Sequence, residues 1–390
     1  MRLIFLIFLV VNILFACSEQ DRILPGKRED ASTANLSEIW SVSIGKGDSR
    51  KKRLVTDPVF FENKIFTLDA NSIASAFDAN GKLLWKKDLT PPGEKGGEIF
   101  GGGLTLGQDQ LFVTLSYGFV LSLDPRTGEK KWSQRLSGAG NTVPVFDDGL
   151  VYLVSGDSKA WAISANNGRI KWKIDAIGND TNLISNNAPA TNKKYAVFGF
   201  GNGEIYTTFK KGGYVLWSSS LSGRNDGRVI SAIDDIVASP VIVGRNVFVA
   251  DGSGKVVSIK VESGKRNWTA PFGSSGNLWV AGKSLFFISN TNNLVRLKIK
   301  TGDVVWMTEL PSFSEKRFGG SKKIIRHYGP IIAGNQIVLA SSDGFIRFYN
   351  PKTGEQITEL KIKNGATTNP IVVDKTLYLI TQDGNLRAFR

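Results

Sequence analysis

A glycine followed four residues later by a tryptophan recurs through this chain. The pair occurs at Gly81/Trp85, Gly128/Trp132, Gly168/Trp172, Gly213/Trp217, Gly264/Trp268 and Gly302/Trp306. A degenerate copy stands at Gly354/Thr358, and a tryptophan without its glycine stands early, at Trp40. The seven steps from Trp40 to Thr358 are about 45 residues each, and a fixed period of this size with short strands indicates propeller blades. Glycine and tryptophan scattered through an ordinary β protein would not keep such a period.

Each repeat has the composition of a strand, a turn and a second strand. In the clearest copy, alternating Leu121 and Leu123 are followed by Asp124-Pro125-Arg126-Thr127-Gly128 and then by Trp132. Aspartate, proline and glycine are the residues that tight turns favour, because they bond the backbone, preset φ and supply positive φ. Tryptophan has a large ring with a polar N–H tip, which suits packing between sheets. We therefore expect the tryptophans of the six complete repeats to be docked between neighbouring blades.

The strand count predicts how the ring closes. Eight apolar second strands and eight third strands can be counted, and the last third strand, Asn385–Phe389, has no tryptophan strand after it. The strand at Trp40 has no third strand before it. Joining the two ends removes two free strand edges that would invite pairing with other chains. The predicted fold is an all-β, eight-bladed propeller whose N-terminal strand completes the C-terminal blade. Prolines such as Pro58 and Pro240 are placed in its first strands, where a missing N–H is tolerated.

The first residues have the features of a targeting segment. Arg2 precedes an apolar run over residues 3–15 that is too short to span a bilayer and fits the core of a signal peptide. The run ends in Leu14-Phe15-Ala16-Cys17, which resembles the bacterial lipoprotein signal, and Cys17 is the only cysteine. We therefore expect a signal peptide over residues 1–16, a lipidated Cys17 followed by a flexible tether over 17–37, and a propeller over 38–390. Ser18 after the cysteine is typical of sorting to the outer membrane.

The chain is basic, with 49 Lys and Arg against 35 Asp and Glu and a formal net charge of +14. Such a charge suits nucleic acid or an anionic surface. Because the basic residues are scattered through all repeats rather than gathered on one stripe, we predict no nucleic-acid partner. The role of the charge stays open at this point.

The repeat resembles the tryptophan-docked blades of the pyrroloquinoline quinone (PQQ) dehydrogenase superfamily. Together with the lipoprotein signal and the chain length, it resembles the BamB family of outer-membrane β-barrel assembly lipoproteins. This resemblance implies a non-enzymatic scaffold without a cofactor, anchored at the periplasmic face of the outer membrane of a Gram-negative bacterium. The implied partners are the POTRA domains of BamA and other subunits of the assembly (BAM) complex, with unfolded outer-membrane proteins as further candidates.

The resemblance also places the partner-binding residues. Members of the family bind through two neighbouring inter-blade loops, which match residues 181–187 and 231–237 here. The implied contacts are Leu183 and Ile184 in the first loop and Asp234 and Asp235 in the second. Ile184 stands where the family pattern has an arginine and Val237 where it has a second aspartate, so the location carries over better than the individual contacts. For Leu183 and Ile184, packing within a blade is the alternative.

A PQQ-dependent quinoprotein dehydrogenase, or a ligand-binding propeller, is the competing hypothesis. The adjacent cysteines that many such enzymes place against the cofactor are absent. Trp161 and Trp279 lie outside the repeat positions and could stack on a cofactor or simply fill the core. The sole histidine, His327, is the one residue that a histidine-based triad could use. Long connections over residues 86–103, 218–238 and 309–329 are expected on one face of the ring, where repeat proteins place binding loops.

Overall fold

The structure, a computed structural model, describes residues 36–49, 54–96, 101–140, 142–176, 187–221, 236, 238–252, 254–274, 276–314 and 323–390. These residues form 32 β-strands in eight four-stranded antiparallel sheets. The predicted all-β, eight-bladed propeller is therefore confirmed. Among the same residues there is no helix with the length and apolar character needed to cross a membrane.

The strands are numbered in chain order. They are β1 (Glu38–Ser43), β2 (Val59–Phe61), β3 (Lys64–Leu68), β4 (Ile73–Asp78), β5 (Leu83–Asp88), β6 (Gly102–Gly107), β7 (Gln110–Leu115), β8 (Phe119–Leu123), β9 (Lys130–Arg135), β10 (Val145–Asp147), β11 (Leu150–Ser155), β12 (Lys159–Ser164), β13 (Ile170–Asp175), β14 (Ala190–Thr191), β15 (Tyr195–Gly199), β16 (Glu204–Phe209), β17 (Val215–Ser220), β18 (Val241–Val243), β19 (Asn246–Ala250), β20 (Val256–Lys260), β21 (Arg266–Ala270), β22 (Trp279–Ala281), β23 (Ser284–Ile288), β24 (Asn293–Lys298), β25 (Val304–Glu309), β26 (His327–Ala333), β27 (Gln336–Ser341), β28 (Phe345–Tyr349), β29 (Gln356–Lys361), β30 (Ile371–Val373), β31 (Thr376–Ile380) and β32 (Asn385–Phe389). Blades 1–7 are β2–β5, β6–β9, β10–β13, β14–β17, β18–β21, β22–β25 and β26–β29, and blade 8 is β30, β31, β32 and β1.

The first and the last strand, β1 and β32, pair with each other and close the ring in blade 8. Strand β1 pairs antiparallel with β32, with Trp40 opposite Ala388 and Val42 opposite Leu386. Just outside this pair, Ser37 and Arg390 exchange two backbone hydrogen bonds of 3.0 Å each. The closure predicted from the unmatched ends of the strand count is confirmed.

Burial follows the order of the strands within a blade. The second and third strands are almost wholly buried, and β7 is buried at every position. The fourth strands alternate between exposed and half-buried residues and form the outer edge of the ring. The apolar clusters extend across pairs of blades, as where Phe66 and Trp85 of blade 1 join Leu104 and Val113 of blade 2. The core therefore lies between blades, so each interface stabilises two sheets at once.

The prolines that mark the blade starts lie differently from the prediction. Pro58, Pro144, Pro189, Pro240 and Pro370 all immediately precede the first strand of a blade, and Pro330 alone of these lies within one, β26. A proline has no N–H to donate, so the ladder of hydrogen bonds begins after it.

The strand order defines two faces of the ring. We call one the loop face, which carries the connections between blades and the hairpins that join second to third strands. The opposite one, the turn face, carries the hairpins that join first to second and third to fourth strands. Since every inter-blade connection runs from a fourth strand to a first strand, the three long connections all belong to the loop face. Leu36, where the described chain begins, lies beside Arg390 at the end of a third strand and hence on the turn face.

Seven tryptophans on the fourth strands hold neighbouring blades together by one recurring contact. Each indole N–H donates to a backbone carbonyl in the turn that follows the third strand of the next blade, at 2.7–3.1 Å. The pairs are Trp40–Ala79, Trp85–Pro125, Trp132–Ala165, Trp172–Lys210, Trp217–Val261, Trp268–Ile299 and Trp306–Pro351. Trp85 is the most buried of them, and the others are half-buried.

The glycine of each repeat packs against the tryptophan of the preceding blade. A Cβ atom at Gly81, Gly128, Gly168, Gly213, Gly264, Gly302 or Gly354 would lie 2.5–2.9 Å from the indole of Trp40, Trp85, Trp132, Trp172, Trp217, Trp268 or Trp306, in that order. Glycine is therefore required twice over, because all seven residues also have φ between +69° and +83°. The lone Trp40 thus has a glycine partner after all, Gly81.

The same arrangement explains the degenerate repeat at Thr358. The fourth strand of blade 7 faces blade 8. There, the paired residues Ser37 and Arg390 occupy the place that a turn occupies in the other blades. Within the described part of the chain, no turn carbonyl or glycine lies there to contact an indole, and Thr358 is exposed. Leu36 instead joins the apolar cluster that blades 7 and 8 share, together with Phe348 and Phe389.

Candidate functional site

The candidate partner-binding residues belong to two connections of the loop face. Leu183 and Ile184 fall in the connection from blade 3 to blade 4, and Asp234 and Asp235 fall in the connection from blade 4 to blade 5. These four residues and Cys17 lie outside the described residues. The structure does describe the points where both connections leave and rejoin the blades.

The two connections end side by side. Asn187, which closes the first, is buried and donates a hydrogen bond from Nδ2 to the carbonyl of Ile236 at 2.9 Å. Ile236, near the end of the second, is fully buried in the apolar cluster between blades 4 and 5. One residue further on, the N–H of Ala188 donates to Oγ of Ser239 at 2.8 Å. A buried donor that loses its acceptor costs about 1–3 kcal/mol, so these contacts hold the ends of the two connections next to each other.

The connections also begin at fixed points. The N–H of Ala176 donates to the carbonyl of Ser158 at 3.0 Å, within the hairpin that joins the second and third strands of blade 3. Leu221 is buried and its carbonyl accepts a hydrogen bond of 2.6 Å from Nζ of Lys255. Both candidate loops are therefore carried by rigid sheet at their two ends, which is how binding loops are usually presented.

An acidic group lies beside the start of the first connection. Asp157 belongs to the same hairpin as Ser158 and accepts hydrogen bonds from Ser137, Ser155 and Lys159. Burial alone would raise the pKa of Asp157, but these hydrogen bonds outweigh it and lower the pKa, so the carboxylate stays charged at neutral pH. Lys159 forms an ion pair with it, which balances the charge locally.

Polar side chains also link the blade starts along the loop face. Oγ of Ser239 donates to Oδ1 of Asn277 at 3.3 Å, and the N–H of Gly329 donates to Oδ1 of Asn369 at 2.7 Å. Asn369 in turn donates two hydrogen bonds of 2.8 Å to the carboxylate of Asp57. Burial raises the pKa of Asp57 to about 6, against the lowering effect of the bonds from Asn369. These contacts fix the first strands relative to one another and so position the connections that end on them.

The long connection before blade 7 presents a second apolar feature on this face. Phe313 and Ile324 form an isolated antiparallel bridge, and their side chains are 56% and 71% exposed. Exposed apolar side chains indicate contact with other molecules when they form a large contiguous patch, and two residues alone do not mark a site.

The three residues considered above for an enzymatic site make contacts within the fold. His327 begins β26, and its two ring nitrogens lie 2.7 Å from Oγ of Ser341 and 2.9 Å from the carbonyl of Pro311. Burial lowers the pKa of His327, so the ring is neutral and held in place. Trp161 is buried and donates to Oγ of Ser155 at 2.8 Å, while Trp279 packs between the clusters of blades 6–8. Among the described residues, no three His, Cys, Asp or Glu side chains are grouped as a metal site would require.

Comparison with known proteins gives a consistent family. Residues 69–308 match the family model described as outer membrane protein assembly factor BamB. The chain is 22% identical to the outer membrane protein assembly factor BamB of Yersinia pestis, over 90% of this chain and 88% of that protein.

Solved structures show the same architecture. The crystal structure of BamB from Moraxella catarrhalis has a TM-score of 0.74 at 17% identity, covering 91% of this chain and 100% of that one. A quinohemoprotein alcohol dehydrogenase from Comamonas testosteroni has a TM-score of 0.67 at 12% identity, covering 94% of this chain and 78% of the enzyme. At such identities these two likenesses concern the fold alone.

Proposed function

The chain belongs to the BamB family of outer membrane protein assembly factors, as predicted from its repeat, lipoprotein signal and length together, and from this we propose that it is a non-enzymatic scaffold of the β-barrel assembly machinery. In this role it binds the periplasmic POTRA domains of BamA and helps to assemble and insert barrel proteins in the outer membrane. The observation that carries the proposal is the hydrogen bond from Asn187 to Ile236, because it brings the ends of the two candidate loops together on one face. The wider set of partners is the other subunits of the complex and unfolded outer-membrane proteins.

The proposed contact residues are Leu183, Ile184, Asp234 and Asp235. An apolar pair in one loop and an acidic pair in its neighbour would give a compact patch with both apolar and charged contacts. Interfaces of this kind concentrate their binding energy in a few central residues. No chemistry is required of the patch, and His327, Trp161 and Trp279 are engaged in the fold rather than presented to a substrate.

A double variant tests the proposed interface. Leu183→Ala with Asp235→Ala should weaken capture of BamA's periplasmic domains at least tenfold, because truncation of a central residue costs more than ~1 kcal/mol. The melting temperature should stay nearly unchanged, which separates lost binding from lost folding. As a matched control, Leu83→Ala with Glu129→Ala removes an exposed apolar and an exposed acidic side chain at the turn-face side of blades 1 and 2, and capture should not change. Capture that is equal for the double variant and the wild type would move the interface to another part of the molecule.

A separate measurement tests the competing enzyme hypothesis. Detection of tightly bound quinone, together with dye-linked oxidation of an alcohol or sugar by the protein, would favour an enzyme over a scaffold.

We also propose that residues 1–16 are removed as a signal peptide and that the new N-terminal Cys17 is lipidated. The lipid and the tether, predicted over residues 17–37, would hold the propeller, predicted over residues 38–390, at the periplasmic face of the outer membrane. The last two residues of that predicted tether, Leu36 and Ser37, are already attached to blade 8. Metabolic labelling with a fatty acid tests this anchor. The wild type should be labelled and Cys17→Ala should not, while the variant still folds because the described core begins at Leu36. Equal labelling of the two proteins would refute the anchor.

A further inference from the structure

Exposed basic residues are concentrated on the turn face of blades 4–6, although they are far apart in the sequence. Six hairpins occupy this part of the face, two in each blade, and each presents an exposed lysine or arginine. In chain order these residues, which we call the basic patch, are Lys193, Lys211, Arg245, Lys265, Lys283 and Lys300. The acidic residues of the same six hairpins are Glu262 and Asp303, and Asp303 forms an ion pair with Lys298 at 3.6 Å.

One class of hairpin has the opposite charge in the preceding blades. The turns between the first and second strands of blades 1–3 present exposed Glu62, Asp109 and Asp148. At the same structural position, blades 4–6 present Lys193, Arg245 and Lys283. The hairpins between third and fourth strands show a weaker contrast, because those of blades 1–3 also present exposed basic residues, Lys82, Arg126 and Arg169. The charge of the turn face therefore changes sign around the ring only at the hairpins between first and second strands, and blades 4–6 are the part where both hairpins of each blade are basic.

The chain enters the propeller on this same face. Ser37 and Arg390 pair at the turn-face end of blade 8, and Arg390 also donates to the carbonyl of Asp374 in a turn-face hairpin. A lipid anchor at Cys17, as proposed above, would thus tether the ring by its turn face. Tyr214, beside Lys211, is 74% exposed. A tyrosine has an apolar body and a polar tip, which suits the boundary between headgroups and acyl chains.

We propose that the basic patch binds the anionic phospholipid headgroups of the leaflet that carries the anchor. Each Lys or Arg close to such a surface strengthens binding about fivefold, so several together give a second membrane signal beside the lipid chain. This orientation directs the loop face, with the proposed partner-binding loops, away from the leaflet. The inference rests on the proposed anchor, but it concerns a different face from the proposed interface.

Vesicle binding tests the inference on the processed chain, which begins at residue 17 and carries Cys17→Ala so that no lipid chain contributes. Vesicles of phosphatidylethanolamine and phosphatidylglycerol should bind it, vesicles of phosphatidylcholine alone should not, and salt at about 0.5 M should release it because charges are screened over a few ångströms there. Lys211→Glu, Arg245→Glu and Lys265→Glu together should lower the partition coefficient at least tenfold. The milder set Lys211→Gln, Arg245→Gln and Lys265→Gln should give an intermediate loss.

A charge-matched control tests whether the loss of vesicle binding depends on the position of the reversed charges or only on the net charge of the protein. Lys323→Glu, Arg326→Glu and Lys363→Glu also reverse two exposed lysines and one exposed arginine, but on the loop face. This control should keep its partition coefficient within about twofold of the parent. An equal loss in both triple variants, or unchanged binding of the turn-face variants, would overturn the inference. Neither outcome affects capture of BamA's domains, because that experiment reports on loops of the opposite face.

Discussion

We expect Trp85→Ala to lower the free energy of unfolding by about 3–5 kcal/mol. Trp85 is 8% exposed and lies between blades 1 and 2, where its ring centroid is 6.0 Å from that of Phe66. Its N–H donates to the carbonyl of Pro125 at 3.0 Å. Truncation would therefore leave a cavity between two sheets and remove a hydrogen bond that links them. Urea unfolding at equilibrium measures the change.

Thr358 provides the matched control for this substitution. It occupies the repeat position of Trp85 on the fourth strand of blade 7, but it is exposed and faces no turn. Thr358→Ala should change stability by no more than about 0.5 kcal/mol. If Trp85→Ala were as stable as Thr358→Ala, the tryptophans would not be what holds the blades together.

Gly128→Ala should lower the free energy of unfolding by about 2–5 kcal/mol. Part of the loss, about 1–2 kcal/mol, comes from the φ of +72°, which a residue with a Cβ adopts only at a cost. The rest, about 1–3 kcal/mol, comes from forcing a methyl group to within 2.7 Å of the Trp85 ring.

Gly149→Ala separates the two contributions. Gly149 has nearly the same φ, +74°, but no heavy atom lies within 4 Å of the place where its Cβ would stand. It should therefore lose only the conformational part. Equal losses for Gly128→Ala and Gly149→Ala would mean that the contact between glycine and indole adds nothing to stability.

Much of the fold could be predicted because its signals are local. The last third strand, predicted at Asn385–Phe389, has these bounds in the structure. Ring closure followed from counting, since one strand at each end of the chain lacked its neighbour. Five of the six prolines at blade starts, among them Pro58 and Pro240, lie one residue before the strand in which they were predicted, because a proline has no N–H with which to begin the pairing.

The spacing of residues along the sequence did not show which residues contact each other across neighbouring blades. Gly128 stands four residues before Trp132, yet it packs against Trp85 of the preceding blade. The reason that blade 7 has Thr358 and not tryptophan is equally non-local, because it depends on where the two ends of the chain meet. The same holds for the charge, since Lys211 and Arg245 are distant in sequence and share a face only through the strand order.

The candidate site was reached by a different route. The family resemblance located the two loops, and the described ends of those loops at Asn187 and Ile236 lie together. Nothing in the residues 181–187 or 231–237 alone would have singled them out, because apolar and acidic residues occur in many connections. Polar residues such as the buried Asn187 and the half-buried Ser239, which hold the connections in place, carried no sequence signal that marked them as important.

Site-specific photo-cross-linking in cells tests the central claim most directly. A photoreactive amino acid such as benzoylphenylalanine would replace Leu183 or Asp235 on the loop face, or Arg126 in a turn-face hairpin of blade 2 whose side chain is 77% exposed. The account predicts cross-links from positions 183 and 235 to the periplasmic domains of BamA and none from position 126. Cross-links to those domains from position 126, with none from 183 or 235, would contradict it.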